Sequence, residues 1–244
     1  MGSPMAWSCK QVNPRLSQEK RRCPDKETRR IQESWVAGPE KWALVRLAVR
    51  TPEWIVPDHL TALGLVAQIG GGICYTLAGS NKYALLGVIA CLALNWLGDS
   101  LDGTLARVRN RQRPRYGFYV DHMTDSFGAV ALMGGLAMSG YMSPEVAIGL
   151  LIGFLMLSLQ SYLATHTLGE FRLSFWRFGP TELRILLAIG NGMLFWKPRV
   201  LFLGEQYRLF DIGGTIGLIG MTLILVFFTA QNTVRLYREA RIDP

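Results

Sequence analysis

The 244-residue chain is half hydrophobic and only 18% charged, with a formal net charge of +8. That much apolar side chain exceeds what a soluble domain of this length hides in one core, which argues for a membrane solvent. The positive charge gathers at the ends of apolar segments, a distribution that suits anionic lipid and phosphate and argues against nucleic acid as a partner.

Residues 1–36 are polar and hold the run Lys20, Arg21, Arg22, Lys26, Arg29 and Arg30, with no apolar stretch of signal-peptide length. They read as a flexible basic cytoplasmic tail. Over residues 37–56, Trp42, Leu44, Val45, Leu47 and Ala48 interleave with Lys41, Arg46 and Arg50 at helical spacing. The pattern predicts an amphipathic juxtamembrane helix lying on the cytoplasmic surface.

Residues 57–244 hold six apolar stretches, near 60–78, 83–97, 117–138, 144–165, 182–196 and 212–229, and end in a short tail. The expected fold class is an all-α integral membrane protein of six transmembrane helices, preceded by the juxtamembrane helix. With the amino terminus cytoplasmic, 22 Lys and Arg fall on that side against Lys82, Lys197, Arg199 and Arg208 on the other. This bias places both termini in the cytoplasm. Gly70, Gly71 and Gly72 sit inside the first apolar stretch, where close helix packing accounts for them better than a phosphate loop does. Cys9, Cys23, Cys74 and Cys91 show neither a Cys-x-x-Cys pair nor zinc spacing and read as reduced thiols.

At the cytoplasmic end of the second stretch the sequence runs Asp99-Ser-Leu-Asp102-Gly103-Thr-Leu-Ala106-Arg107, followed ten residues later by Gly117-Phe-Tyr-Val-Asp121-His122-Met-Thr-Asp125. Spacings of three and four set each aspartate pair on one helix face. The short connection makes the two helices antiparallel neighbours, with the pairs facing each other in one pocket. Four carboxylates at the edge of hydrocarbon repel one another unless positive charge joins them, and two divalent cations supply it. The ligands are all hard oxygens, which selects Mg²⁺ or Mn²⁺ over Zn²⁺. Gly103 and Ala106 leave room beside the carboxylates, and Arg107 offers a cation to a pyrophosphate.

This pattern resembles the signature of the CDP-alcohol phosphotransferase family, Asp-x2-Asp-Gly-x2-Ala-Arg followed by Gly-x3-Asp-x3-Asp, and it matches every fixed position. The resemblance implies a phospholipid-synthesising enzyme of membrane lipids, in which the hydroxyl of an acceptor attacks a CDP-linked donor and CMP leaves. It implies that Asp99, Asp102 and Asp121 hold metal, and that Asp125 touches metal and acts as general base. It likewise implies that Gly103, Ala106, Arg107 and Gly117, together with Asp99 and Asp102, bind the CDP part. A homodimer is implied on the same ground. Pro57-Asp58-His59-Leu60-Thr61 is similar to the family's Pro-Asn-x-x-Thr element, with Asp58 where Asn is usual; it reads equally as a donor contact through Thr61 and as a plain helix start. Glu182, Arg172 and His122 are the candidates for the acceptor pocket.

The short chain is more like the members using CDP-diacylglycerol and a polar alcohol. The Asp121-His122 pair and the stretch 178–182 are more like those joining CDP-ethanolamine or CDP-choline to diacylglycerol. The balance favours CDP-diacylglycerol. Intramembrane carboxylates also mark cation transporters, but such sites lie near mid-membrane on interrupted helices. These aspartates sit at an Arg-rich end beside the Gly-Ala-Arg triplet.

Overall fold

The computed structural model describes residues 29–31, 37–168, 170–172, 180–202 and 204–239. The expected flexible tail lies almost wholly outside them. In chain order the elements are β1 (Arg29–Ile31), α1 (Ala37–Arg50), α2 (Pro57–Ala78), α3 (Ala84–Val108), α4 (Pro114–Met138), α5 (Pro144–Leu168), β2 (Glu170–Arg172), α6 (Pro180–Trp196), β3 (Arg199–Phe202), β4 (Glu205–Arg208) and α7 (Leu209–Glu239).

Each of the six apolar stretches falls on one helix, α2 to α7, and the juxtamembrane segment contains helix α1. Four helices, α2, α3, α5 and α7, are long and apolar enough to cross a membrane. Helix α4 carries Asp121 and Asp125 together with a charged, polar amino-terminal turn, and α6 has only 17 residues. Four short strands qualify the all-α expectation. β1 pairs with β2 in parallel, and β3 with β4 in an antiparallel hairpin. Gly204, at φ +88°, supplies the left-handed residue in that hairpin's turn.

Helix starts follow local chemistry. Pro57 opens α2 with Asp58 in its first turn, and Pro180 opens α6 with Glu182 in its first turn. A proline at the first helical position has no amide to leave unsatisfied, and an acidic side chain complements the dipole. The connection between α3 and α4 turns at Asn110, whose φ of 51° is one of the left-handed conformations asparagine tolerates.

Helix α2 is the spine of the bundle, packing against both α3 and α4, whereas α3 and α4 touch each other only slightly. The expectation that α3 and α4 are direct neighbours therefore needs correction. Glycine explains the arrangement. A Cβ on Gly72 would run into the carbonyl of Ala131, and one on Gly135 into the backbone of Gly72, so α2 and α4 cross backbone against backbone. A Cβ on Gly98 would lie 2.6 Å from the Leu60 carbonyl oxygen and 2.8 Å from the Gly64 nitrogen. Side chains at these positions would force both α3 and α4 away from α2.

The main core joins Tyr75, Leu85, Val88, Leu92, Leu132, Leu136, Ala147, Leu194 and Phe210. A smaller cluster of Leu44, Ala48, Leu60, Leu101 and Leu105 fastens α1 to the ends of α2 and α3. Large apolar side chains also point outward along whole helices, among them Val66, Ile69, Ile73 and Leu77 on α2 and Ile216, Ile219, Leu223 and Val226 on α7. Continuous apolar faces of this length belong in hydrocarbon rather than water. Cys74 and Cys91 are free, on the facing surfaces of α2 and α3. Cys9 and Cys23 lie outside the described residues.

Candidate active site

The site forms where the carboxyl-terminal end of α3, the amino-terminal halves of α2 and α4 and the start of α6 come together. Close approach at Gly98 and Gly64 brings Thr61 to α3, where its hydroxyl donates to Asp102 Oδ2 at 2.6 Å. From α4, Asp121 and Asp125 turn toward Asp99. One carboxylate oxygen from each of Asp99, Asp121 and Asp125 lies within 4.8 Å of the others. Three converging carboxyl groups in a partly buried place require protons or cations between them. Three hard oxygens at this spacing could hold a divalent cation.

Asp102 stands outside this group of three. It lies one turn further along α3 and is held by Thr61, so the four-carboxylate pocket expected from spacing resolves into three converging groups with the fourth alongside. A Cβ on Gly103 would touch the Arg107 guanidinium at 3.6 Å, whereas Gly117 has nothing within 4 Å of where a Cβ would stand. Ala106 is half-buried. Arg107 folds back along α3 to donate to the Thr104 hydroxyl at 3.0 Å.

A residue that sequence reading counted only as a surface charge belongs to the site. Arg184, one turn into α6, reaches α3, where its Nη2 donates to Asp99 Oδ2 at 2.8 Å and its Nε to Asn95 Oδ1 at 2.7 Å. Asn95 in turn donates to the Gly64 carbonyl at 3.1 Å, tying α2, α3 and α6 into one polar network. The pair is largely withdrawn from solvent, with side-chain exposures of 13% for Arg184 and 23% for Asp99. No local pattern announces it, since 85 residues separate the partners.

Of the acceptor candidates, His122 lies stacked on Tyr162 at 4.7 Å and edge-on to Phe118 at 4.2 Å, with its Nδ1 3.7 Å from Asp121 Oδ2. Glu182 is half-buried in the first turn of α6. Arg172 falls in β2, and its side chain lies outside the described residues. Asp58, the departure from the family element, pairs with Arg113 at 2.6 Å. This hydrogen bond and its charge raise the Arg113 pKa. Arg109 donates to the carbonyls of Thr51, Pro52 and Ile55, closing the connection between α1 and α2.

Fold and site together define a polytopic helical membrane protein with a carboxylate cluster at one end of its bundle. The family model for CDP-alcohol phosphatidyltransferase matches residues 54–232, and the chain belongs to that family. The family's members are membrane transferases of phospholipid synthesis that move a substituted phosphate from a CDP-alcohol. The match spans α2 to most of α7 and so contains every residue of the site just described.

Proposed function

We propose that the chain is a metal-dependent CDP-alcohol phosphotransferase that joins CDP-diacylglycerol to a polar alcohol and releases CMP. The observation that carries this reading is the convergence of Asp99, Asp121 and Asp125 within 4.8 Å. In this reading Asp99, Asp102, Asp121 and Asp125 hold two divalent cations, Mg²⁺ or Mn²⁺. The cations would neutralise charge on the donor pyrophosphate and on the departing CMP.

The chain's own residues do the rest. Gly103, Ala106 and Gly117 leave room for the nucleotide, Arg107 meets its phosphates, and Thr61 orients Asp102. An alcohol is a weak nucleophile, and Asp125 takes its proton as the hydroxyl oxygen attacks the phosphorus that carries the donor's alcohol. The bond from that phosphorus to the bridging oxygen breaks, and CMP leaves with the electron pair. Arg184 fixes Asp99 from behind. Glu182, Arg172 and His122 stay the acceptor-side candidates.

Six membrane crossings go with this reading. At about 1.5 Å per residue, the 25 residues of α4 reach about 37 Å and the 17 of α6 about 26 Å, lengths comparable to a hydrocarbon core. Both helices pack within the bundle, α4 along α2 and α6 along α3. The arginines of residues 107–115 lie at the carboxylate end, and Lys82, Lys197, Arg199 and Arg208 at helix ends opposite, so the site faces the cytoplasm. On α1, Lys41, Arg46 and Arg50 lie beside the exposed Trp42 and Val49, a combination that suits anionic headgroups.

The test is CMP release by the purified protein in lipid with Mg²⁺ or Mn²⁺, from CDP-diacylglycerol and separately from CDP-ethanolamine, against a panel of acceptors. Release from CDP-diacylglycerol with a polar alcohol is expected. Release only from CDP-ethanolamine with diacylglycerol would reverse the donor direction. Asp125→Asn should abolish turnover while CDP binding survives. Retained turnover would remove Asp125 as the base.

A further inference from the structure

Glu40 lies outside the matched family region, in the first turn of α1, yet it bonds to α3 and α6, the two helices that carry Asp99 and Arg184. Its Oε1 accepts three hydrogen bonds: from Trp96 Nε1 at 2.8 Å, from the Thr181 hydroxyl at 3.2 Å and from the Ser100 hydroxyl at 3.3 Å. Trp96 and Ser100 are one turn apart on α3 and flank Asp99, while Thr181 belongs to the first turn of α6. One carboxylate therefore joins three helices.

A three-residue step along α6 separates Thr181 from Arg184, which places them on neighbouring positions of one face. The start of α6 is thus held to α3 by two latches side by side. One runs from Thr181 through Glu40 to Trp96 and Ser100. The other runs from Arg184 to Asn95 and Asp99. Neither Trp96 nor Ser100 bonds Thr181 directly, so in the first latch Glu40 is the only bridge, among the described residues, between the two helices. A hydrogen bond accepted by a charged group in a partly dry place is among the stronger neutral-donor bonds, and here three donors share one acceptor.

We propose that Glu40 is a positioning residue: by clamping the first turn of α6 onto α3 it sets where Arg184 meets Asp99, so that α1 supports the catalytic centre from outside the matched family region. It touches no reacting atom and acts through Arg184. The activity arm of its test rests on the transferase reading above, and the second arm does not.

Turnover and donor KM are compared for the wild-type protein, Glu40→Ala, Glu40→Gln, Arg184→Ala and the Glu40→Ala/Arg184→Ala double variant. Hydrogen exchange is followed in parallel over residues 180–190 of the protein in lipid. Glu40→Ala is expected to lower kcat about tenfold with donor KM within twofold, and to speed exchange in the first turns of α6. Glu40→Gln keeps an acceptor oxygen and should recover most of both. The double variant should be no slower than Arg184→Ala alone, because a residue acting through Arg184 has nothing left to position.

Unchanged kcat and exchange in Glu40→Ala would overturn the proposal. So would a loss that multiplies with that of Arg184→Ala. If Glu40→Ala fails to fold, Trp96→Phe, which removes one donor and keeps a ring, carries the same expectations in weaker form, and wild-type exchange and kcat in it would count against the latch. If the wild-type protein releases CMP from no donor, the transferase reading fails, while exchange over residues 180–190 still decides whether Glu40 holds α6.

Discussion

Thr61 shows how one side chain links packing to chemistry. Its hydroxyl gives its one proton to Asp102 Oδ2 at 2.6 Å, in preference to the Pro57 carbonyl one turn back on α2 at 3.3 Å. A carboxylate hydrogen-bonded this way is fixed in rotamer before any ligand arrives. Thr61→Val preserves shape and removes the donor. A hydrogen bond to a charged group contributes about 1.5–3 kcal/mol, so kcat/KM for the CDP donor should fall by about one order of magnitude or more. Thr61→Ser should restore most of it. A valine variant with wild-type kcat/KM would show that Asp102 needs no such support.

Residue identity alone made part of this site legible. Asp99, Asp102, Asp121 and Asp125 stand out because their spacings match helix turns and because ionisable groups are rare beside hydrocarbon. Arg184, Asn95 and Glu40 do not stand out. Their partners lie 31 to 141 residues away, and a hydrogen bond between distant segments leaves no periodic trace in either. Arg184 in particular looks like any anchoring charge near a helix start, and only the fold shows that it points inward.

At the scale of elements, the apolar stretches predicted the helices well, since a helix is the simplest way to satisfy backbone groups in lipid. Two features escaped. The strands β1 to β4 have three or four residues each, too short to show an alternating pattern. The neighbour relations also escaped. A short connection suggested that α3 and α4 pack together, but the small residues Gly72, Gly98 and Gly135 let α2 approach both more closely, and closeness decides packing where lipid offers no hydrophobic drive.

Gly72→Ala would place a methyl group against the Ala131 carbonyl, a backbone atom that cannot swing aside. Overpacking of this kind costs roughly 1–3 kcal/mol, and it should appear as a lowered melting temperature in detergent with a matching loss of active protein. Gly134→Ala, one position from the crossing and with nothing within 4 Å of its Cβ, should melt like the wild type. Equal melting of both variants would mean that α2 and α4 do not meet at Gly72.

For the whole molecule, the number of crossings and the side on which the carboxylates open are one question. Four helices are long and apolar enough to cross, and α4 is the helix whose status matters, because the aspartates that make it polar also make it part of the site. Asp121 and Asp125 lie in its first half. The remaining stretch from Gly128 to Met138 is apolar throughout and packs against α2 along the Gly72 crossing. A helix with a charged end and an apolar body, fastened to a spanning neighbour, lowers its free energy by crossing with the charged end at the interface. If α4 crosses, Arg111 before it and Glu145 at the start of α5 lie on opposite sides. If it does not, both lie on the same side. Single cysteines at Arg111→Cys and Glu145→Cys, in a chain whose four native cysteines are replaced, would be treated with a membrane-impermeant maleimide in sealed membrane vesicles whose cytoplasmic face is inside. The positive-inside distribution of 22 against four predicts labelling at Glu145→Cys and protection at Arg111→Cys until the membrane is opened. Protection of both would leave α4 as an interfacial helix, and labelling at Arg111→Cys alone would turn the carboxylate end outward.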